Sequence, residues 1–278
     1  MLHSPLEISA DVTSPNRPAR HYLPEDFTVT DWATIEPYFV ELRDRNINSG
    51  AELERWLLDR SELEAVLSED LAWRYIRMTC DTQDAARAEA FQYFVSEIEP
   101  KVAPYDHALN EKLVGSPYAG ELDPDKYRIF LRSVRRALEI YREQNIPLKT
   151  DISTKQQEYA ATAGAMTVTL DGEEMTLQRA ADRLKDTDRT KREEAWRAIQ
   201  DRRLQDAPKL DALFTELIGL RHQMARNADF ANFRDYMFAA LGRFDYTPED
   251  CFAFHRAIRE TVVPLIDELD LERRQDLA

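Results

Sequence analysis

The sequence predicts a mainly α protein: a multi-helix array carrying one small β-hairpin around Val168–Leu177. Three observations lead there. Only 7 glycines and 13 prolines punctuate 278 residues, too few turn-formers for a fold of many short strands. Apolar residues recur at i, i+3, i+4 and i+7 along most of the chain, the spacing that lines one helix face. A single stretch, MTVTLDGEEMTL, alternates instead.

The first helical stripe is Ile35, Tyr38, Phe39 and Leu42. Ser49 and Glu52 form an S-x-x-E capping box, opening a second helix through Leu53, Trp56 and Leu57. Ser61 and Glu64 repeat that pattern, so the segment either breaks there or continues into Leu67 and Leu71. DLAWRYIRMT has apolar residues on nearly every side and is expected to be well buried. Asp81 or Thr82 can cap the next helix, whose stripe is Phe91, Phe94, Val95, Ile98, Val102, Tyr105 and Leu109. Pro100 and Pro104 each remove a backbone donor, so a kink or break is expected there.

SPYAGELDP reads as a loop, and Asp123 followed by Pro124 as a helix start: an acceptor side chain, then a residue whose missing N–H costs nothing in the first turn. The expected buried face is Tyr127, Phe130, Leu131, Val134, Leu138 and Tyr141, with Asn145 and Pro147 ending the helix. In the alternating stretch, Val168 and Leu170 lie on one arm and Met175 and Leu177 on the other. Asp171-Gly172 between them favours the left-handed angles of a tight hairpin. Helices resume at Ala195, Trp196 and Ile199. They continue through Leu210, Leu213, Phe214, Leu217, Leu220 and Met224, with Asp206 and Pro208 as a start. NFRDYMFAAL is a shorter helix. Thr247, Pro248 and Asp250 open the last one, which carries Phe252, Ile258, Val262, Leu265, Ile266 and Leu269, with a kink expected at Pro264.

These elements suggest an extended arm over 1–22, a helical subdomain over 23–147, and a second helical subdomain with the hairpin over 148–278. Acidic residues outnumber basic ones 52 to 37, a formal charge of −15. Such a surface repels phosphate backbones and anionic lipids, so neither nucleic acid nor membrane is an expected partner. Cys80 and Cys251 are the only cysteines and form no paired-cysteine motif. No apolar run near the start resembles a signal peptide, and a cytoplasmic location is expected.

Candidate chemistry is sparse. The histidines are His3, His21, His107, His222 and His255, and none lies in H-E-x-x-H, the pattern that sets two imidazoles one turn apart on a zinc beside a general-base glutamate. Cys251 and His255, four apart on a helix, could share a metal only with two ligands from elsewhere; a buried thiol beside a half-buried imidazole is the expected outcome. His107 and Glu111 are expected to form a solvated ion pair. Glu97 and Glu99 cannot face each other on a helix. Gly164 reads as a bend, and DTDRTKREEAWRAIQDRR as a solvated helix face. No residue is nominated as catalytic, cofactor-binding or metal-ligating.

The order of segments carries more than any one motif. It runs from DWATIEPYFVELRDRNINSGAELERWL through LAWRYIRMTCDTQD, SEIEPKV and HALNEKL. It continues with AMTVTLDGEEMTLQRAADRLKDTDRTKREEAWRAI, RHQMARNADFANFRDYMF and DYTPEDCFAFHRAIRETVVPLIDELDLERR. Over most of Arg20 to Leu277 this resembles the oligoendopeptidase F branch of the thimet-oligopeptidase-like zinc peptidases. The resemblance implies a helical fold whose two halves enclose a channel for short peptides, with H-E-x-x-H and a further glutamate ligand in a carboxy-terminal half beyond Ala278. It therefore implies zinc in that missing half, short peptides as substrates, and no catalytic residue in this chain. The expectations are an amino-terminal portion of such an enzyme, one subunit of a split peptidase, or a non-catalytic helical interaction protein.

Overall fold

A computed structural model describes residues 19–82 and 84–276. Most of the arm expected over 1–22, and His3 with it, lies outside them. The chain is mainly helical, with one antiparallel hairpin among the described residues.

Helix α1 (Trp32–Asp44) starts where the Asp31 carboxylate accepts the Thr34 N–H, and it buries Ile35, Phe39 and Leu42. Helix α2 (Gly50–Cys80) runs unbroken past Ser61. Ser49 caps it by accepting the Glu52 N–H, but the Glu52 carboxylate turns to the Asn48 N–H, so the box is displaced by one residue. The far end of α2 is less buried than its composition suggests. Tyr75 is 53% exposed and Ile76 38%, because a helix buries only the face that meets a neighbour, and here that neighbour is α3 (Ala85–Tyr93). Asp84, not Asp81 or Thr82, caps α3; Asp81 closes α2.

From α3 the chain passes through one π turn, Phe94–Ile98, directly into α4 (Glu99–Gly115). The break expected at Pro100 is thus a local widening just before it, and Pro104 sits inside α4. The pattern recurs near the end. Helix α10 (Pro248–Ala257) enters a π turn, Ile258–Val262, and continues as α11 (Val263–Asp276), with Pro264 again two residues past the turn. A wider turn relieves the clash of a proline ring with the carbonyl four residues back.

A 3-10 turn, Ala119–Glu121, leads to α5 (Pro124–Ile140), capped by Asp123 as expected. Tyr127 and Val134 are buried, while Phe130 is 40% exposed. Helix α5 ends at Ile140, and Asn145 and Pro147 stand instead in the first turn of α6 (Asn145–Gly164). Pro147 is tolerated there because first-turn N–H groups have no intrahelical acceptor. Strand β1 (Thr167–Leu170) pairs with β2 (Glu173–Thr176), Val168 opposite Met175. Asp171 and Gly172 both have positive φ, 55° and 79°, the two-residue turn that fits strand twist. Leu177 falls beyond the strand, opening α7 (Leu177–Ala181). A 3-10 segment, Asp182–Lys185, precedes α8.

Helix α8 (Arg189–Asn227) is continuous, and Pro208 lies within it rather than starting a second helix. Ala195, Ile199, Leu213, Leu217 and Met224 form one buried stripe through the proline, and that packing outweighs a proline cost of about 3 kcal/mol. Helix α9 (Phe233–Ala240) is capped by Asn232, and α10 opens with a closed capping box between Thr247 and Asp250. The largest core joins α1, α2, α4 and α5 around Trp56, Phe39, Ile98 and Leu109. A second gathers Leu148, Met224, Ala225 and Tyr236, and a third seats the hairpin on Ile199 and Ala180.

Candidate functional site

Arg60 is the unexpected residue on α2. The helix buries Leu53, Trp56, Leu57, Leu63 and Leu67 on one side, and the same spacing carries Arg60 inward until 5% of it is exposed. A guanidinium taken from water needs compensation. Nε donates to Glu64 Oε1 at 2.6 Å and Nη2 to Asp106 Oδ1 of α4 at 3.2 Å. Nη1 is buried with no acceptor. The guanidinium carbon also stands 5.9 Å from the Trp56 ring centroid.

This cluster lines a half-open cleft of about 640 Å³ between α2, α4 and α6, at the junction of the first two cores. Leu67, Leu71, Phe94, Ile146, Ile152 and Met224 make its apolar walls, and Lys149 of α6 faces Glu99 of α4 across it. Burial pushes the Glu64 carboxyl above its ordinary range; the Arg60 charge opposes this and neighbouring Asp106 adds to it. Glu64 keeps 40% of its side chain open to solvent, so the desolvation comes from the surrounding walls rather than complete enclosure. Glu99 is raised in the same way, with Lys149 opposing. Arg60 and Lys149 thus meet three carboxylates, Glu64, Glu99 and Asp106.

The residues weighed from sequence do not converge on this cleft as a set. Glu97 lies in the π turn against Lys101, and only Glu99 lines the cleft. The His107 Nε2 approaches Glu111 Oε1 at 3.4 Å, while its ring stacks on Tyr141 with centroids 3.9 Å apart. Cys251 is half-buried and His255 exposed, not the buried pair expected. Gly164 ends α6. Among the described residues no three His, Cys, Asp or Glu side chains group as metal ligands. With H-E-x-x-H also absent from the sequence, the described donors do not fit a catalytic zinc. The signal in the sequence for the Arg60 cluster is the arginine's own place inside the apolar stripe of α2, between Trp56 and Leu63.

Comparison with known proteins places these features in a larger frame. The Peptidase M3 N-terminal domain model matches residues 24–141, and the Peptidase family M3 model matches residues 183–277. A crystal structure of a protein assigned as oligoendopeptidase F superposes with a TM-score of 0.84 and 26% identity, over 90% of this chain and 45% of that one. A second such protein, from Bacillus anthracis, gives 0.80 and 20% identity over 90% and 47%. PZ peptidase A, solved with an inhibitor, gives 0.80 and 22% over 87% and 43%. The chain therefore spans less than half the length of these solved proteins. A search among curated proteins gave no match.

Proposed function

Because this chain belongs to the M3 peptidase family, and resembles its oligoendopeptidase F members, we propose that it supplies the amino-terminal helical part of a zinc oligopeptidase. In this reading it forms one wall of a channel for short peptides, and a carboxy-terminal half brings zinc and the catalytic groups. The observation that carries the reading is the superposition of nine-tenths of this chain on under half of an oligoendopeptidase F, by a chain whose described donors do not fit zinc.

A surface feature favours docking of that other half. Phe254, Ile258, Val262, Leu265, Ile266 and Leu269 follow one stripe along α10 and α11, and all are exposed, Phe254 by 64% and Leu269 by 63%. A run of large apolar side chains open to water marks an interaction surface. The same is true of Trp196, Phe214 and Ile218 on α8. A cytoplasmic setting belongs to the same proposal, resting on two cysteines without a disulfide pattern.

The test is whether the isolated chain binds an apolar-surface dye or self-associates, and whether Leu265→Glu with Leu269→Glu removes that behaviour. A monodisperse chain that binds no dye would count against a docking surface.

A further inference from the structure

We propose that Arg132 of α5 is a positioning residue that fixes the direction in which the helix of α10 and α11 leaves the body of the protein. It does so by latching the turn at 241–246, about which that helix otherwise swings. What the latch means for docking rests on the reading above; the latch itself rests on contacts within this chain.

The packed body ends with α9, whose Tyr236 is buried in the second core beside Phe230 and Phe233. Beyond it the packing stops. Every residue over 252–276 is exposed, although α10 and α11 run on through their π turn as one helix. At 1.5 Å per residue that helix reaches about 40 Å from Pro248, open to water along its length. Its direction is therefore set at its root. There Gly242 has a φ of 61°, and the Phe244 N–H donates to the Gly242 carbonyl at 2.9 Å. Glycine leaves this backbone free to rotate unless something outside the turn holds it. Phe238 of α9 meets the edge of Tyr246 at 5.7 Å between centroids and the Arg243 guanidinium at 4.9 Å. Arg234 of α9 lies 5.5 Å from the Phe252 ring. These contacts join neighbouring elements of one turn. Arg132 is different, since it comes from α5, 112 residues away. Its guanidinium carbon lies 4.0 Å from the Phe244 ring centroid. Nη2 donates to the Phe244 carbonyl at 3.1 Å and Nη1 to the Asp245 carboxylate at 3.3 Å. One planar group thus holds a ring, a carbonyl and a carboxylate of consecutive residues, which fixes the rotation of the turn relative to α5. Asp245 is 88% exposed, so the ring and carbonyl contacts carry most of the hold. Without them, a rotation of about 20° at the turn moves the far end of the helix by roughly 15 Å. In the reading above, the latch presents the apolar stripe of α10 and α11 to the other half at a fixed angle.

The test is the distance between two nitroxide labels, measured by double electron–electron resonance on the full 278-residue chain. One label sits on Cys80, exposed at the end of α2. The other sits on Glu272→Cys near the far end of α11, in a Cys251→Ser background. A control pair, Arg256→Cys with Glu272→Cys in a chain carrying Cys80→Ser and Cys251→Ser, reports on the helix alone. With Arg132 in place, both distances should be narrowly distributed. Arg132→Met should spread the first over roughly 15 Å, the travel of a freed helix end, and leave the control unchanged. Phe244→Ala, which removes the ring, should do the same and carries the test if Arg132→Met fails to fold. Arg132→Lys keeps a charge for Asp245 but not the planar stack, and should give an intermediate spread. A Cys80 distance already broad in the parent, one that stays narrow in either folded variant, or a control that broadens with it would each overturn the proposal. No outcome depends on zinc, a peptide or the other half, so failure here leaves the family reading standing. Failed docking with narrow distances would count against that reading alone.

Discussion

Replacing Lys112 by methionine removes an ammonium that closes the carboxy-terminal end of α1. Lys112 projects from α4, and its Nζ donates to the carbonyls of Leu42 at 2.8 Å, Arg43 at 2.8 Å and Arg45 at 2.5 Å. The Leu42 and Arg43 carbonyls are last-turn acceptors, which have no helical partner and carry the negative end of the dipole, and Arg45 is the extended residue that caps the helix. The three losses are unequal. The Leu42 carbonyl keeps the Trp56 Nε1–H at 2.8 Å, and the Arg43 carbonyl lies where water can replace the lysine. The Arg45 carbonyl is partly buried and has the shortest contact, so most of the cost falls there. Burial already lowers the Lys112 pKa, and the nearby Arg45 charge lowers it further, so part of the bond energy is spent on desolvation. One charged hydrogen bond and a dipole contribution together give a loss of about 2–3 kcal/mol. For a chain of this size that corresponds to a fall of roughly 4–12 °C in Tm. Urea unfolding followed by tryptophan emission would record it as a lower midpoint at unchanged slope. Lys112→Arg should recover only part, since a planar fork cannot converge on three carbonyls as a tetrahedral ammonium does. A loss below about 0.5 kcal/mol in Lys112→Met, the size of an ordinary surface substitution, would refute the reasoning.

Two further predictions concern how segments are tied to α2. Burial alone would raise the Glu62 carboxyl, but the backbone N–H groups of Leu23, His21 and Tyr22, at 2.7, 2.8 and 3.1 Å, outweigh it and hold the pKa below the usual glutamate range. That stability is present above the ordinary glutamate pKa and is lost as pH falls through the lowered folded value. Glu62→Gln should therefore cost about 1–2 kcal/mol at pH 7, with the gap from wild type closing in acid when urea midpoints are compared. Gly50→Ala should lower Tm, because an added Cβ would stand 2.6 Å from Glu121 Oε2 and 2.7 Å from its Cβ. It would also disturb the 2.9 Å bond from the Gly50 N–H to that carboxylate, and overpacking of this kind costs about 1–3 kcal/mol; an unchanged melt would show that the turn at Ala119–Glu121 yields freely.

Local chemistry was legible where the decisive partners lie within a few residues. Asp123 with Pro124, Thr247 with Asp250, and Asp171 with Gly172 set their caps and turn by themselves, and the structure has each in place. Features that depend on distant neighbours were harder to read. DLAWRYIRMT looked buried because its residues are apolar, yet exposure at Tyr75 depends on what lies opposite α2. Helix α6 buries only Asn145, Leu148 and Thr162, too few for a periodic signal in the sequence. The prolines at 100 and 264 were legible as perturbations, but not as π turns that keep the helices continuous. Arg60 could have been noticed: its spacing from Trp56 and Leu67 places a charge on the buried face. Its partner Asp106, 46 residues on, is visible only in the fold. The family resemblance rests on the order of many weak segments, and the two family models, over residues 24–141 and 183–277, cover all of them but the stretch 165–182 that holds the hairpin.

We propose that this chain is the helical part of an M3 oligopeptidase whose zinc and catalytic groups reside in another half. The most direct test is elemental analysis of the purified 278-residue chain alongside a fluorogenic short-peptide assay. The account predicts well under one zinc per chain and hydrolysis no faster than buffer. One tightly held zinc per chain, with cleavage abolished by a chelator and restored by zinc, would contradict it.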